Sequence, residues 1–137
     1  DSLGGIKVSL LQKPMVCTDA TVVSNNGKMA YIRNFSSEDH VLYEPQERKT
    51  IEELQGLDFL TAYTGILEHD HETALYHFGA GHGECNVHVV RYLRKATEET
   101  ENPWAAKLKD FLLSLNKERN VRISLGSTFS KEELKEY

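Results

Sequence analysis

An α+β fold, with a mainly antiparallel sheet layered against two longer helices in the C-terminal half, is what three observations predict for residues 1–137, read as a single domain. β-prone runs flank Asn25-Asn26-Gly27, a tripeptide that favours a tight hairpin turn. Two later segments carry apolar residues at helical spacing: Val89, Val90, Leu93 and Ala96, then Trp104, Leu108, Phe111, Leu112 and Leu115. Near the end, Val121-Arg122-Ile123-Ser124-Leu125 alternates apolar and polar residues as a half-buried strand does.

Taken in order, Ile6 to Gln12 reads as a strand stopped by Pro14, and Met15 to Val23 as a second one. Lys28 to Arg33 returns as the other arm of a hairpin. Asn34 to Gln46 is polar and loop-like, with a short strand at Val41 to Tyr43. Thr50-Ile51-Glu52-Glu53 has the form of a capping box, so a short helix runs to Leu54 or Gln55 and stops at Gly56. Leu57 to Leu67 and Thr73 to Phe78 read as two strands of a hairpin turning through Glu68 to Glu72, which leaves through Gly79-Ala80-Gly81-His82-Gly83 into a helix over Asn86 to Ala96. Thr97 to Glu101 is an acidic, solvated connection. Asn102-Pro103 supplies an N-cap and a first-turn proline for the second long helix. Asn116 to Asn120 turns the chain, and Ser130-Lys131-Glu132-Glu133 caps a short terminal helix.

The length suffices for one hydrophobic core without metals or disulfides as staples. A net charge of −5 and the absence of a basic stripe speak against a nucleic-acid partner. No apolar run reaches the length of a membrane span. Cys17 and Cys85 make no disulfide framework and read as small buried hydrophobes. The first residue, Asp1, reads as that of a processed or excised piece, so the compartment is not readable from this end.

Chemistry concentrates in the stretch Leu57 to Glu84. His69, His71, His77, His82 and His88 lie close together in sequence, interleaved with Asp70, Glu72, Glu84 and Cys85, and histidine is the side chain suited to moving protons near neutral pH. His69 and His71 flank Asp70 in the expected turn and read as solvated; His88 reads as a helix-surface residue. His77 is the best placed, since the expected hairpin sets it opposite Tyr63, within reach of Ala62 to Thr64.

Phe59-Leu60-Thr61-Ala62, Tyr76-His77-Phe78-Gly79 and the later Val121-Arg122-Ile123-Ser124-Leu125-Gly126-Ser127 resemble segments of the glutamine deamidase fold shared by CheD and the cytotoxic necrotizing factor toxins. The resemblance implies a CheD-like fold and thiol attack on a Gln or Asn side chain of a protein substrate, with His77 as base and no cofactor. Ala62 stands where the nucleophilic cysteine would be, implying an inactive form, engineered or natural, of a toxin or effector domain. Such a domain would be secreted or delivered into a host cell, and a domain of another kind would be cytoplasmic. Cys17 is an alternative nucleophile that nothing in the sequence brings to His77.

Two other readings stand beside this one. His82-Gly83-Glu84 ahead of a helix is similar to the His-x-Glu of zinc-dependent nucleobase deaminases, but the Pro-Cys-x-x-Cys partner is missing; His82, Cys85 and His88 are the residues left to hold a metal. A non-enzymatic protein-binding domain, using tyrosines such as Tyr31, Tyr43, Tyr63 and Tyr76, is the other. The oligomeric state is not readable.

Overall fold

The computed structural model describes residues 2–137 and divides into two compact units, one ending at Cys85 and the other covering Asn86–Tyr137. The first contains α1 (Ser2–Leu11), β1 (Met15–Asn25), β2 (Lys28–Ser36), β3 (Val41–Gln46), α2 (Ile51–Gln55), α3 (Asp58–Ala62), β4 (Ile66–His69), a 3-10 turn (Thr73–His77) and β5 (Gly81–Glu84). The second contains α4 (Asn86–Thr100), α5 (Pro103–Ser124) and a terminal 3-10 turn (Glu133–Lys135).

The fold is α+β, and its five-stranded sheet is mixed rather than mainly antiparallel. Strand order is β3-β2-β1-β4-β5. β1 pairs antiparallel with β2 and β2 with β3, whereas β1–β4 and β4–β5 are parallel. Nothing in this arrangement is specific to a CheD-like fold. The expected β1–β2 hairpin is present, and Asn26 and Gly27 both take positive φ (50° and 75°), the geometry whose twist matches paired strands. Pro45 is accommodated because β3 is an edge strand with a free amide side.

In this first unit three expected strands are helical in whole or in part, each for a readable reason. Ile6 and Leu10 fit strand alternation and i,i+4 spacing equally; in α1 Leu10 is fully buried while Val8, which a strand would have buried with them, is exposed. Leu57, Phe59, Leu60 and Tyr63 are buried at separations of three and four, so the chain coils through α3 before β4 begins at Ile66. Leu75 and Phe78 are buried three apart, which is the 3-10 period. The result replaces the Leu57–Phe78 hairpin with two parallel strands, β4 and β5, joined by a short 3-10 connection.

One sheet face carries Val16, Phe35, Leu42 and Leu67, and α1, α2 and α3 supply Leu10, Leu54, Phe59 and Leu60 to the same core. Phe59 lies 4.5 Å from Phe35 and 5.5 Å from Tyr63, ring centre to ring centre. Thr50 caps α2, its Oγ1 accepting from the Glu53 amide at 3.3 Å. Thr50→Ala is expected to lower stability by about 1 kcal/mol, read as a shift in the urea midpoint.

In the second unit α4 and α5 pack together with Leu93 and Ala105 buried. The expected strand at Val121 to Leu125 is the last turn of α5, tied by Arg122 to Glu118 one turn back at 2.8 Å. Gly126, at φ 74°, ends the helix: its amide reaches Ile123 O and the Ser127 amide reaches Arg122 O, a Schellman stop. The capping box at Ser130 forms in both directions, Glu133 N–H to Ser130 Oγ and Ser130 N–H to Glu133 Oε2. The Ser130 amide first, and then the Arg122 guanidinium, hold the Glu133 carboxyl down at about 2. Because the folded value is depressed, this link is fully present above the ordinary 4.5 and is lost as pH falls through about 2. Carboxyl chemical shifts of Glu133 followed against pH should titrate there, together with loss of protection at the Ser130 amide.

Candidate carboxylate site

The order β3-β2-β1-β4-β5 means that the chain leaves β1 to one side for β2 and β3, and later occupies the other side with β4 and β5. The strand order therefore switches between β1 and β4, and in open sheets with parallel strands such switch points are where ligands bind. Their pairing runs Met15 to Ile66, Val16 to Leu67 and Cys17 to Glu68. Two residues further on along each chain stand Asp19 and Asp70. In parallel strands this equal offset brings the two carboxylates to the same height, where the pairing ends.

Asp19 shares the parity of Met15 and Cys17, so it lies on the sheet face opposite the core. Its Oδ1 accepts from the Ala20 amide at 2.7 Å. Asp70 follows the last residue of β4 directly, and its Oδ1 is buried with no hydrogen-bond partner. The next residue, His71, is held at φ 68°, a left-handed conformation that a non-glycine residue adopts at a cost of roughly 1–3 kcal/mol. The backbone thus turns sharply just after the carboxylate.

The histidine-rich stretch is brought together beside this point. His69 is buried in β4, not a solvated turn residue, and its Nε2 lies 3.1 Å from His82 Nδ1 on β5. Burial, reinforced by the neighbouring His82, lowers the pKa of His69. His71 Nδ1 lies 2.8 Å from Glu84 Oε1, and the Tyr76 hydroxyl donates to the same carboxylate oxygen. The bond from Tyr76, and then that from His71, depress the Glu84 pKa; the same bond raises that of Tyr76. The Tyr76 ring stands edge-on to both His69 and His71.

Ala62 and His77 lie elsewhere. Ala62 is the exposed last residue of α3, and His77 is the exposed last residue of the 3-10 turn. The hairpin expected to set His77 opposite Tyr63 is not formed; Tyr63 instead turns its hydroxyl to Lys13 O and Ile66 O. Cys17 and Cys85 are free and half-buried, and burial, followed by the adjacent Glu68, raises the Cys17 pKa. His82 faces His69, and His88 is half-buried on α4 with a buried, unpartnered Nδ1. Among the described residues no group of three or more His, Cys, Asp or Glu side chains is placed to hold a metal ion. No helix among them is long and apolar enough to cross a membrane.

Reading the sequence missed the placement of Asp19 and Asp70 at the same offset beyond the β1–β4 pairing. A signal was there: aspartate is depleted in strands, and Asp19 interrupts a β-branched run without a turn to excuse it.

A family model described as the transposase IS66 family matches residues 4–136. No curated protein and no solved structure matches. The family match overturns the deamidase, toxin and effector expectation, and the nucleobase deaminase alternative gains nothing from it. The segments that resembled the deamidases did so by local pattern, and two of them, Phe59 to Ala62 and Val121 to Leu125, are helical here.

Proposed function

Since this chain belongs to the IS66 transposase family, we propose that it acts on DNA, with Asp19 and Asp70 holding a divalent cation beside the phosphodiester that is broken or transferred. The observation that carries the reading is the placement of two carboxylates two residues beyond the last β1–β4 pair, one of them with a buried oxygen lacking any partner. Such an oxygen suits a hard cation of the Mg2+ or Mn2+ type. Those ions are commonly held by only one or two carboxylates, with water and substrate phosphate oxygens completing the shell, so a pair is a sufficient protein contribution. A cation of this kind, when bound, neutralises phosphate charge and favours attack at phosphorus.

The chain's own residues orient and hold. The Ala20 amide fixes one oxygen of Asp19 and leaves the other to bind. The left-handed turn at His71, braced by Glu84 and Tyr76, fixes the exit of the Asp70 segment. The expectation of no nucleic-acid partner is corrected by the family: a net charge is an average, and a divalent ion held by the two carboxylates would turn an acidic site into one that attracts phosphate. Protein glutamine or asparagine is accordingly not the substrate.

The test is binding of a fluorescent duplex by anisotropy, with Mg2+ and then with a chelator. Binding that needs Mg2+, and that loses this dependence in Asp19→Asn, is expected. Binding indifferent to the chelator, or none at all, would remove the proposal.

A further inference from the structure

Arg33 is fully buried in β2, and its guanidinium reaches from β1 to the loop that follows β4. Nη1 donates to Thr18 Oγ1 at 3.2 Å, Nη2 donates to both carboxylate oxygens of Glu72 at 2.8 and 2.9 Å, and Nε donates to Gln46 Oε1 at 2.5 Å. Thr18 immediately precedes Asp19. Glu72 follows Asp70 by two residues, on the far side of the left-handed His71. A single rigid fork therefore grips β1 next to one carboxylate and the loop next to the other. We propose that Arg33 is a positioning residue that fixes the separation of Asp19 and Asp70, and this rests on the reading of those two as cation ligands.

The alternative role is packing, and the physics separates the two. A buried ion pair is a poor way to gain stability, because desolvation of both charges offsets their attraction, and an apolar pair of similar volume often serves the fold as well. What the guanidinium supplies and an apolar side chain cannot is geometry: donors in a fixed plane, aimed at three partners from three different segments. Lysine at this position would keep the charge and lose the fork. Lys49, whose Nζ lies 3.9 Å from Glu72, is already present as a diffuse second cation and makes the difference between charge and geometry testable. The Asp70 segment needs such a tie. It comes off β4 at a strained residue and belongs to no strand until β5 begins at Gly81.

The experiment compares the wild type with Arg33→Lys and with the double variant Arg33→Met/Glu72→Met, which leaves no buried charge behind. Mn2+ affinity is read by electron paramagnetic resonance, and the unfolding midpoint is read alongside. We expect the double variant to unfold near the wild-type midpoint while Mn2+ affinity falls ten- to a hundredfold, the loss seen when supporting residues around a metal site are removed. Arg33→Lys, which keeps the charge, should lose affinity as well. Unchanged affinity in both variants would overturn the proposal. A second measurement needs no metal: nitroxide labels on Asp19→Cys and Asp70→Cys, in a Cys17→Ser/Cys85→Ser background, report the distance distribution between the two positions. It should broaden when Arg33 is replaced, and an unaltered distribution refutes the positioning role. A wild type that binds no Mn2+ refutes the carboxylate reading, while the label distances still decide whether Arg33 sets the separation.

Discussion

Asp70→Asn is expected to lower the affinity for Mn2+ by at least about a hundredfold, since replacing a direct ligand should cost no less than replacing the residues that support one. The metal-free protein should unfold where the wild type does, because the altered oxygen has no hydrogen bond to lose. The two effects together are diagnostic. A carboxylate kept for folding has partners, and its removal weakens the metal-free protein; one kept for a cation weakens only the loaded form. Thermal unfolding with Mn2+ near a hundred times its Kd should show the wild type gaining about 2.7 kcal/mol and the variant gaining little. Equal gains in the two proteins would mean that Asp70 is not a ligand.

The largest loss of stability should come from Gly65→Ala. Gly65 stands at the start of β4, where the Ile66 amide donates to Pro14 O at 2.9 Å and the Ala80 amide donates to Gly65 O at 2.9 Å, tying β4 to the segments that lead into β1 and β5. A β-carbon there would lie 2.8 Å from Pro14 O and inside the space of the Tyr63 hydroxyl. That hydroxyl shares its one proton between Lys13 O and Ile66 O, so it has nowhere to move without losing that shared bond. Overpacking together with the lost hydroxyl hydrogen bond comes to about 3 kcal/mol. Urea denaturation measures it, with Tyr63→Phe as the control that removes only the hydroxyl. A Gly65→Ala midpoint equal to that of the control would show that the segment yields more easily than this packing implies.

What could be read from the sequence followed the range of its signals. Asn26-Gly27, Thr50 with Glu53, Ser130 with Glu133 and Pro103 are local devices, and each lies where its chemistry placed it. Two runs misled because short apolar stretches serve either period: Ile6 and Leu10 suit both, and Val121 to Leu125 alternates yet continues α5 until Gly126 stops it. Leu57 to Tyr63 was decipherable, its buried residues being three and four apart. The carboxylate site was not, because it depends on β1 and β4 being parallel neighbours, a fact of topology that neither segment carries in itself. Histidines drew attention to the stretch that also holds Asp70. The candidate ligand among them is the aspartate they flank, and the arginine that ties it to β1 lies in another strand altogether.

The parallel neighbourhood of β1 and β4 also bears on how the protein acquires its site. β1 and β2 meet through a two-residue turn, a contact formed on the microsecond scale of hairpins. The Tyr63 hydroxyl bond to Lys13, which marks where β4 joins β1, spans 50 residues of chain. Closing so long a loop is entropically unfavourable until the core residues of α2 and α3 have collapsed between them. A nascent or partly unfolded chain can thus hold its first hairpin while Asp19 and Asp70 remain apart, and the proposed cation pair is assembled only in the finished sheet.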